Sequence, residues 1–194
     1  FFLEHTNYSE NLLKTMNMMI EVDVLLIRQI ELKYLTKIKK LYYLLALETG
    51  KSPNVSKLAE TIDTSRATVM NYIKYLADAR LLNIIYHQGS VFPKKPAMVV
   101  VNNPNLIYTV YPRNFGDREI LNSFFINQLR KDHTVNKERA TDAYRIDGET
   151  SVRISAEGEG ESRARGKKNY YTASSGLVVG KGRKIPLWLF GFLY

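Results

Sequence analysis

VSKLAETIDTSRATVMNYIKYLADARLLNIIY (residues 55–86) is the stretch on which the fold turns. In its first segment Val55, Leu58, Ala59 and Ile62 recur at helical spacing and share one face. Asp63-Thr64-Ser65 is a tight polar break, and Ser65 has the side chain of a helix N-cap. In the second segment Val69, Ile73, Leu76 and Ala77 point inward. Arg66, Ala67, Met70, Asn71 and Lys74 point elsewhere. Leu81 to Tyr86 then has strand composition, and so does Ala97 to Val101. The HQGSVFPKKP between them (87–96) carries Gly89, two prolines, Lys94 and Lys95, which suits a turn with a basic tip.

Upstream, the spacing predicts a helix over 33–48 with Leu35, Ile38, Leu41, Tyr42 and Leu45 buried, ended by Gly50. Lys33, Lys37 and Lys40 form a basic stripe on another face. Ser9 is placed to cap a helix with Leu12, Leu13, Met16, Met19 and Ile20 on one side, and VDVLLIRQI (22–30) continues it. Helix, helix, turn, helix and a two-stranded ribbon is the layout of a winged helix-turn-helix. Arg66, Thr68, Asn71 and Lys74 have the right chemistry to reach base edges and phosphates, and Lys94 and Lys95 to meet backbone phosphates. The same architecture serves for docking proteins, and Met70 and Tyr75 are apolar enough for such a contact.

The 194 residues carry a formal net charge of +9, an electrostatic footprint for phosphate polymers or acidic membrane surfaces, though charge alone does not separate either from a solvated basic surface. There is no cysteine, which excludes disulfides, thiolate metal sites and cysteine nucleophiles. His5, His87 and His133 lie far apart without metal-like spacing. No stretch is long and apolar enough to span a bilayer, so no membrane partner is expected and a cytoplasmic location is. Gly50-Lys51-Ser52 mimics the end of a phosphate-binding loop, but position 45 is Leu where that loop needs glycine, so no nucleotide is expected here.

After Asn102 the character changes. NPNLIYTVYP (103–112) suits a short helix. RNFGD (113–117) is the best domain boundary, and Asp117 is placed to cap a helix to about Asp132 with Ile120, Leu121, Phe124, Phe125 and Leu129 as its core stripe. Strand-like runs follow at 143–147, 150–156, 170–174, 176–180 and in the C-terminal IPLWLFGFL. EGEGESRARGKK (157–168) reads as a mobile loop. The expected class is α+β: a helical lead-in (1–32), a winged helix-turn-helix (33–112) and a small α/β domain (113–194).

KLAETIDTSRATVMNYIKYLADARLLNIIY, FPKKPAMVVVNNPNLIYTVYP, FFINQLRKDHTVNK and KIPLWLFGFLY resemble the C-terminal part of bacterial AAA-family ATPases of the Bacteroidetes type. The resemblance covers nearly the whole chain. It implies a winged helix followed by a restriction-endonuclease-like domain, both downstream of an ATPase module that would bind ATP and Mg²⁺. FFLEHTNYSENLLKTMNMM is similar to the stretch that follows that module, so the chain is expected to be the protein without its motor. The resemblance places the nuclease acids at Asn122, Ala143 (beside Asp142) and Arg153, and the lysine near Ala156 and Glu157. Asp147 and Glu149 are left on the turn between two strands. A metal site would need clustered carboxylates there, and an arginine at its centre would repel Mg²⁺. The expectation is therefore a pseudo-nuclease without catalytic residues, metal or cofactor of its own. Its function is expected to be non-catalytic DNA binding, with a protein partner or self-association as the alternative.

Overall fold

A computed structural model describes residues 7–26, 29–110, 116–159 and 169–193. The chain is α+β: helices pack on a seven-stranded mixed sheet. Helix α1 (Tyr8–Met19) runs into a π-helical segment, Ile20–Leu26. A 3₁₀ turn, Leu32–Tyr34, leads into α2 (Leu35–Leu47). Then come α3 (Val55–Thr61) and α4 (Arg66–Asp78). The expected cap at Ser9 lies inside α1, whose N-cap is Asn7, without a side-chain bond. The apolar stripes of α2, α3 and α4 meet in one cluster with Met16, Ile20 and Val24.

Strands β1 (Leu82–His87) and β2 (Met98–Val101) form an antiparallel hairpin. Ahead of α3, the Gly50 N–H donates to the Val99 carbonyl and the Val99 N–H to the Lys51 carbonyl, at 2.9 and 3.0 Å. This bridge covers part of the outer side of β2. The uninterrupted MVVV of β2 suits a strand covered on both faces, and it is. Leu82, Val99 and Val101 enter the cluster with α1–α4, whereas Ile85, Met98 and Val100 enter a second cluster. Side chains alternate along a strand, so the hairpin is one wall shared by two cores. Each fully buried valine or isoleucine in it stabilises by about 1.5–3 kcal/mol, and Val100→Asp would break the second core.

The second cluster belongs to α6 (Asp117–Leu129) and the remaining strands: β3 (Val135–Lys137), β4 (Ala143–Ile146), β5 (Thr150–Ser155), β6 (Tyr170–Ser174) and β7 (Lys184–Pro186). A short α5 (Pro104–Val110) precedes α6. The sheet order is β2-β1-β3-β4-β5-β6-β7, with β1–β3, β5–β6 and β6–β7 parallel. The hairpin thus continues into the C-terminal sheet through Tyr86 and His87, which pair with Asn136 and Lys137.

Several expectations change here. The N-cap of α6 is Gly116; Asp117 sits in the first turn, where its carboxylate meets the positive end of the helix. Of the expected stripe of α6, Phe125 and Leu129 are buried and Leu121 and Phe124 pack half-buried against the same core, while Ser123 and Ile126 are buried in addition, so the inner face is shifted toward them and away from Ile120. Ile126 replaces Ile120, because the helix packs on β2 and β5 together and the Ser123 hydroxyl donates to the Val101 carbonyl at 2.7 Å. GLVVG (176–180) is no strand: Val178 and Val179 are 78% and 74% exposed. Parallel neighbours need a crossover, and this segment returns the chain from the end of β6 to the start of β7. The C-terminal run splits into β7 and a 3₁₀ segment, Leu187–Phe192. Of the expected boundary, residues 113–115 lie outside the described residues. No helix among the described residues is long and apolar enough to cross a membrane.

Candidate nucleic-acid interface

Helix α4 begins where the sequence places it. The Thr68 N–H donates to Ser65 Oγ at 3.0 Å, and the two hydroxyls are 2.8 Å apart. This cap satisfies an otherwise orphaned donor and also occupies Thr68, which is half-buried. Arg66, Ala67 and Asn71 are exposed. At 3.6 residues per turn Arg66 lies about 140° around the helix from Asn71. Asn71 and Lys74 therefore share a stripe with Ala67, Thr68 flanks it, and Arg66 stands apart at the first turn. Lys74 Nζ reaches Asp78 one turn on, at 3.0 Å, so its charge is partly offset.

Lys94 and Lys95 are exposed on the loop between β1 and β2. That loop turns at Gly89, at φ +73°, where a side chain would strain the backbone. Among the described residues neither Lys94, Lys95 nor Arg66 has a carboxylate partner. The Lys33, Lys37 and Lys40 stripe is spent differently. Lys33 pairs with Glu31 at 2.7 Å. Lys40 Nζ donates to the Thr61 carbonyl at 2.9 Å, and Lys37 donates to the Asp63 carbonyl and carboxylate. The last two cap the C-terminal end of α3, where carbonyls lack helical donors and the dipole favours cations.

A second polar cluster sits where α6 meets β4 and β5, at the positions where the sequence resemblance would put a nuclease centre. Asn122 Oδ1 accepts from the Tyr144 hydroxyl at 2.8 Å. Ala143 is buried and lies opposite Arg153 in the β4–β5 ladder. Arg153 donates to Glu159 at 3.3 Å. Arg118, one turn before Asn122, donates to both Asp142 and Glu159. Lys137 Nζ completes the set, 2.9 Å from Asp142 and 4.7 Å from the Tyr144 ring centre. Burial alone would raise the Asp142 carboxyl; hydrogen bonds from Lys137 and Arg118 outweigh it and hold the group below the ordinary carboxylate range. Glu159 is also depressed, burial being overcome chiefly by Arg118. Three cations thus surround two carboxylates.

Arg118, Lys137 and Glu159 were not among the sequence candidates. Glu159 fell in the 157–168 loop, of which 160–168 lie outside the described residues, yet two arginines hold it. The signal for Arg118 was its i, i+4 spacing from Asn122. Asp147 is elsewhere: it closes the β4–β5 turn at φ +51°, roughly 13 Å along the strand from Ala143. Its carboxylate accepts from His133 Nδ1 at 2.6 Å and the Thr134 N–H at 2.8 Å, and these bonds, His133 first, depress its pKa. Asp147 fixes a turn and does not join the cluster. His87 Nδ1 is 2.8 Å from the Lys137 carbonyl. Among the described residues no three His, Asp or Glu side chains converge as a metal site.

A family model described as "Domain of unknown function (DUF8612)" matches residues 4–97, from the approach to α1 to the end of the β1–β2 loop. No curated protein matches the chain. No solved structure matches it either.

Proposed function

We propose that this chain is a non-catalytic DNA-binding module, in which α2–α4 and the β1–β2 hairpin act as a winged helix-turn-helix. The element order supports that reading, as does the Lys51–Val99 bridge, which adds a third, one-residue strand beside β2. The observation that carries the reading is a contrast in cation pairing. Arg66, Lys94 and Lys95 are exposed and lack a carboxylate partner among the described residues, while Asn71 presents an amide from the exposed face of α4. In this reading α4 enters the major groove with Asn71 and Lys74 toward base edges and Thr68 at its flank. Arg66 and the tip lysines hold phosphates. The region from residue 113 onward is a restriction-endonuclease-like domain that lacks the acids for catalysis. The sequence resemblance makes both parts the C-terminal region of an AAA-family ATPase, whose own module would supply the ATP and Mg²⁺ chemistry.

The test is fluorescence anisotropy with a labelled duplex over a salt series. Phosphate-dominated binding gives a slope of log affinity against log salt of about −0.9 per contact. No binding at low salt sinks the reading. A protein-docking function is favoured by a different observation. Met18 and Val22, about one turn apart at the end of α1 and on the segment after it, are 57% and 44% exposed. Met16 is core and Met19 half-buried, so Met18 is the exposed methionine of this helix.

A further inference from the structure

Strand β1 is six residues long, but β3 pairs with only its last two. The Asn102 N–H bonds the Leu81 carbonyl. By antiparallel alternation the backbone groups of residues 82 and 84 then turn away from β2, toward the side β3 leaves uncovered. That uncovered edge is the floor of an open groove of about 610 Å³. One wall is the C-terminal part of α4, with Lys74, Asp78 and the following Arg80. The other is the end of α6, with Arg130 and Lys131, and Phe92 of the β1–β2 loop borders the groove as well. The Arg130 guanidinium donates to the Ile84 carbonyl at 2.5 Å, which satisfies one edge acceptor and holds a cation in the groove. Burial lowers the Arg130 pKa, but an arginine remains charged at neutral pH.

The charge balance is one-sided. Lys74 and Asp78 offset each other. Arg80, Arg130 and Lys131 have no carboxylate partner among the described residues. A groove with three such cations is complementary to a phosphodiester backbone. Its α4 wall carries the same stripe as Asn71, since 71, 74 and 78 are one turn apart. A strand of DNA lying on that stripe passes over the groove mouth. The geometry points to a second phosphate-binding site, built jointly by α4 and α6, that takes the backbone of the duplex bound by α4 and the tip. This rests on the DNA-binding reading above and extends it to Arg80 and Lys131 as phosphate-contacting residues.

The experiment measures duplex affinity by anisotropy across a salt series for the parent, Arg80→Asn/Lys131→Glu, and Lys94→Ala/Lys95→Ala. Asn suits position 80 because the residue sits at φ +56°, which Asn tolerates. Both groove positions are exposed, and a thermal melt checks that the fold is kept. The proposal expects the groove variant to bind at least about tenfold more weakly, with a salt slope shallower by about two. Parent-like binding by the groove variant, with weakened binding by the tip variant, overturns the groove site and leaves the DNA reading standing. Failure of the parent to bind any duplex overturns both. An arm with a labelled polyglutamate peptide covers the other anionic partner: if it binds in an Arg80- and Lys131-dependent way and duplex does not, the groove is a protein site and the proposal is wrong.

Discussion

Two sets of cations on this molecule are built in opposite ways. Around α6, β4 and β5, Arg118, Lys137 and Arg153 all point at Asp142 or Glu159. At the start of α4 and the tip of the β1–β2 loop, Arg66, Lys94 and Lys95 point at solvent. A cation with an internal carboxylate has spent most of its attraction within the fold; one without a partner retains it for an external anion. Charge count alone does not separate the two, since both regions are basic. Lys37 and Lys40 belong with the first kind, because their ammonium groups terminate α3.

The comparison breaks most visibly under substitution. Replacing Arg66, Lys94 and Lys95 together by Ala is expected to weaken duplex binding by about 100-fold at low salt and flatten the salt slope by roughly three contacts. Arg118→Ala should leave that affinity within about twofold and lower stability by about 1 kcal/mol, read by urea denaturation, since its partners are part-exposed. An affinity loss with Arg118→Ala as large as with the triple variant would erase the distinction. Ser65→Ala removes the α4 cap and should cost about 1 kcal/mol, with weaker duplex binding only as the helix start frays.

Acid sharpens the same contrast. Asp142 and Glu159 have folded-state pKa values below their ordinary ones. Their stabilising contribution is then fully present above the ordinary carboxylate range and lost as pH falls through the depressed folded values. Thermal melts should show Tm falling below about pH 4, and Asp142→Asn should make that fall shallower. A parent and variant with parallel pH profiles would contradict the pairing. The smallest effect concerns Asp147. The chain is expected to leave duplex DNA intact in Mg²⁺ or Mn²⁺, and Asp147→Ala to change only the turn. Cleavage that disappears in Asp147→Ala would make the nuclease reading correct and this one wrong.

What was legible in the sequence was local. The cap at Ser65, the stripe of Val69, Ile73 and Leu76, and the strands at 143–146 and 170–174 are set by neighbours within a few residues. What was not legible depends on distant partners. β3 is three residues of mixed character and exists because β1 and β4 present edges to it. GLVVG has strand composition but is used up by the crossover between parallel strands. The inner face of α6 is turned by the hairpin it packs on. At the candidate interface, Asn71 and the tip lysines were readable as exposed polar residues. The Arg118–Asp142–Glu159–Arg153 cluster was not, because it joins a helix, a strand and two loops separated by up to 41 positions.

The most direct test of the central claim is amide chemical-shift mapping of the isotope-labelled chain as duplex DNA is added. The account predicts perturbations concentrated at 65–80 and 88–97, extending to 130–131 across the groove, with the amides of Asp142, Arg153 and Glu159 nearly still. Perturbations centred on Arg118, Asp142 and Arg153, or none at all at low salt, would contradict it.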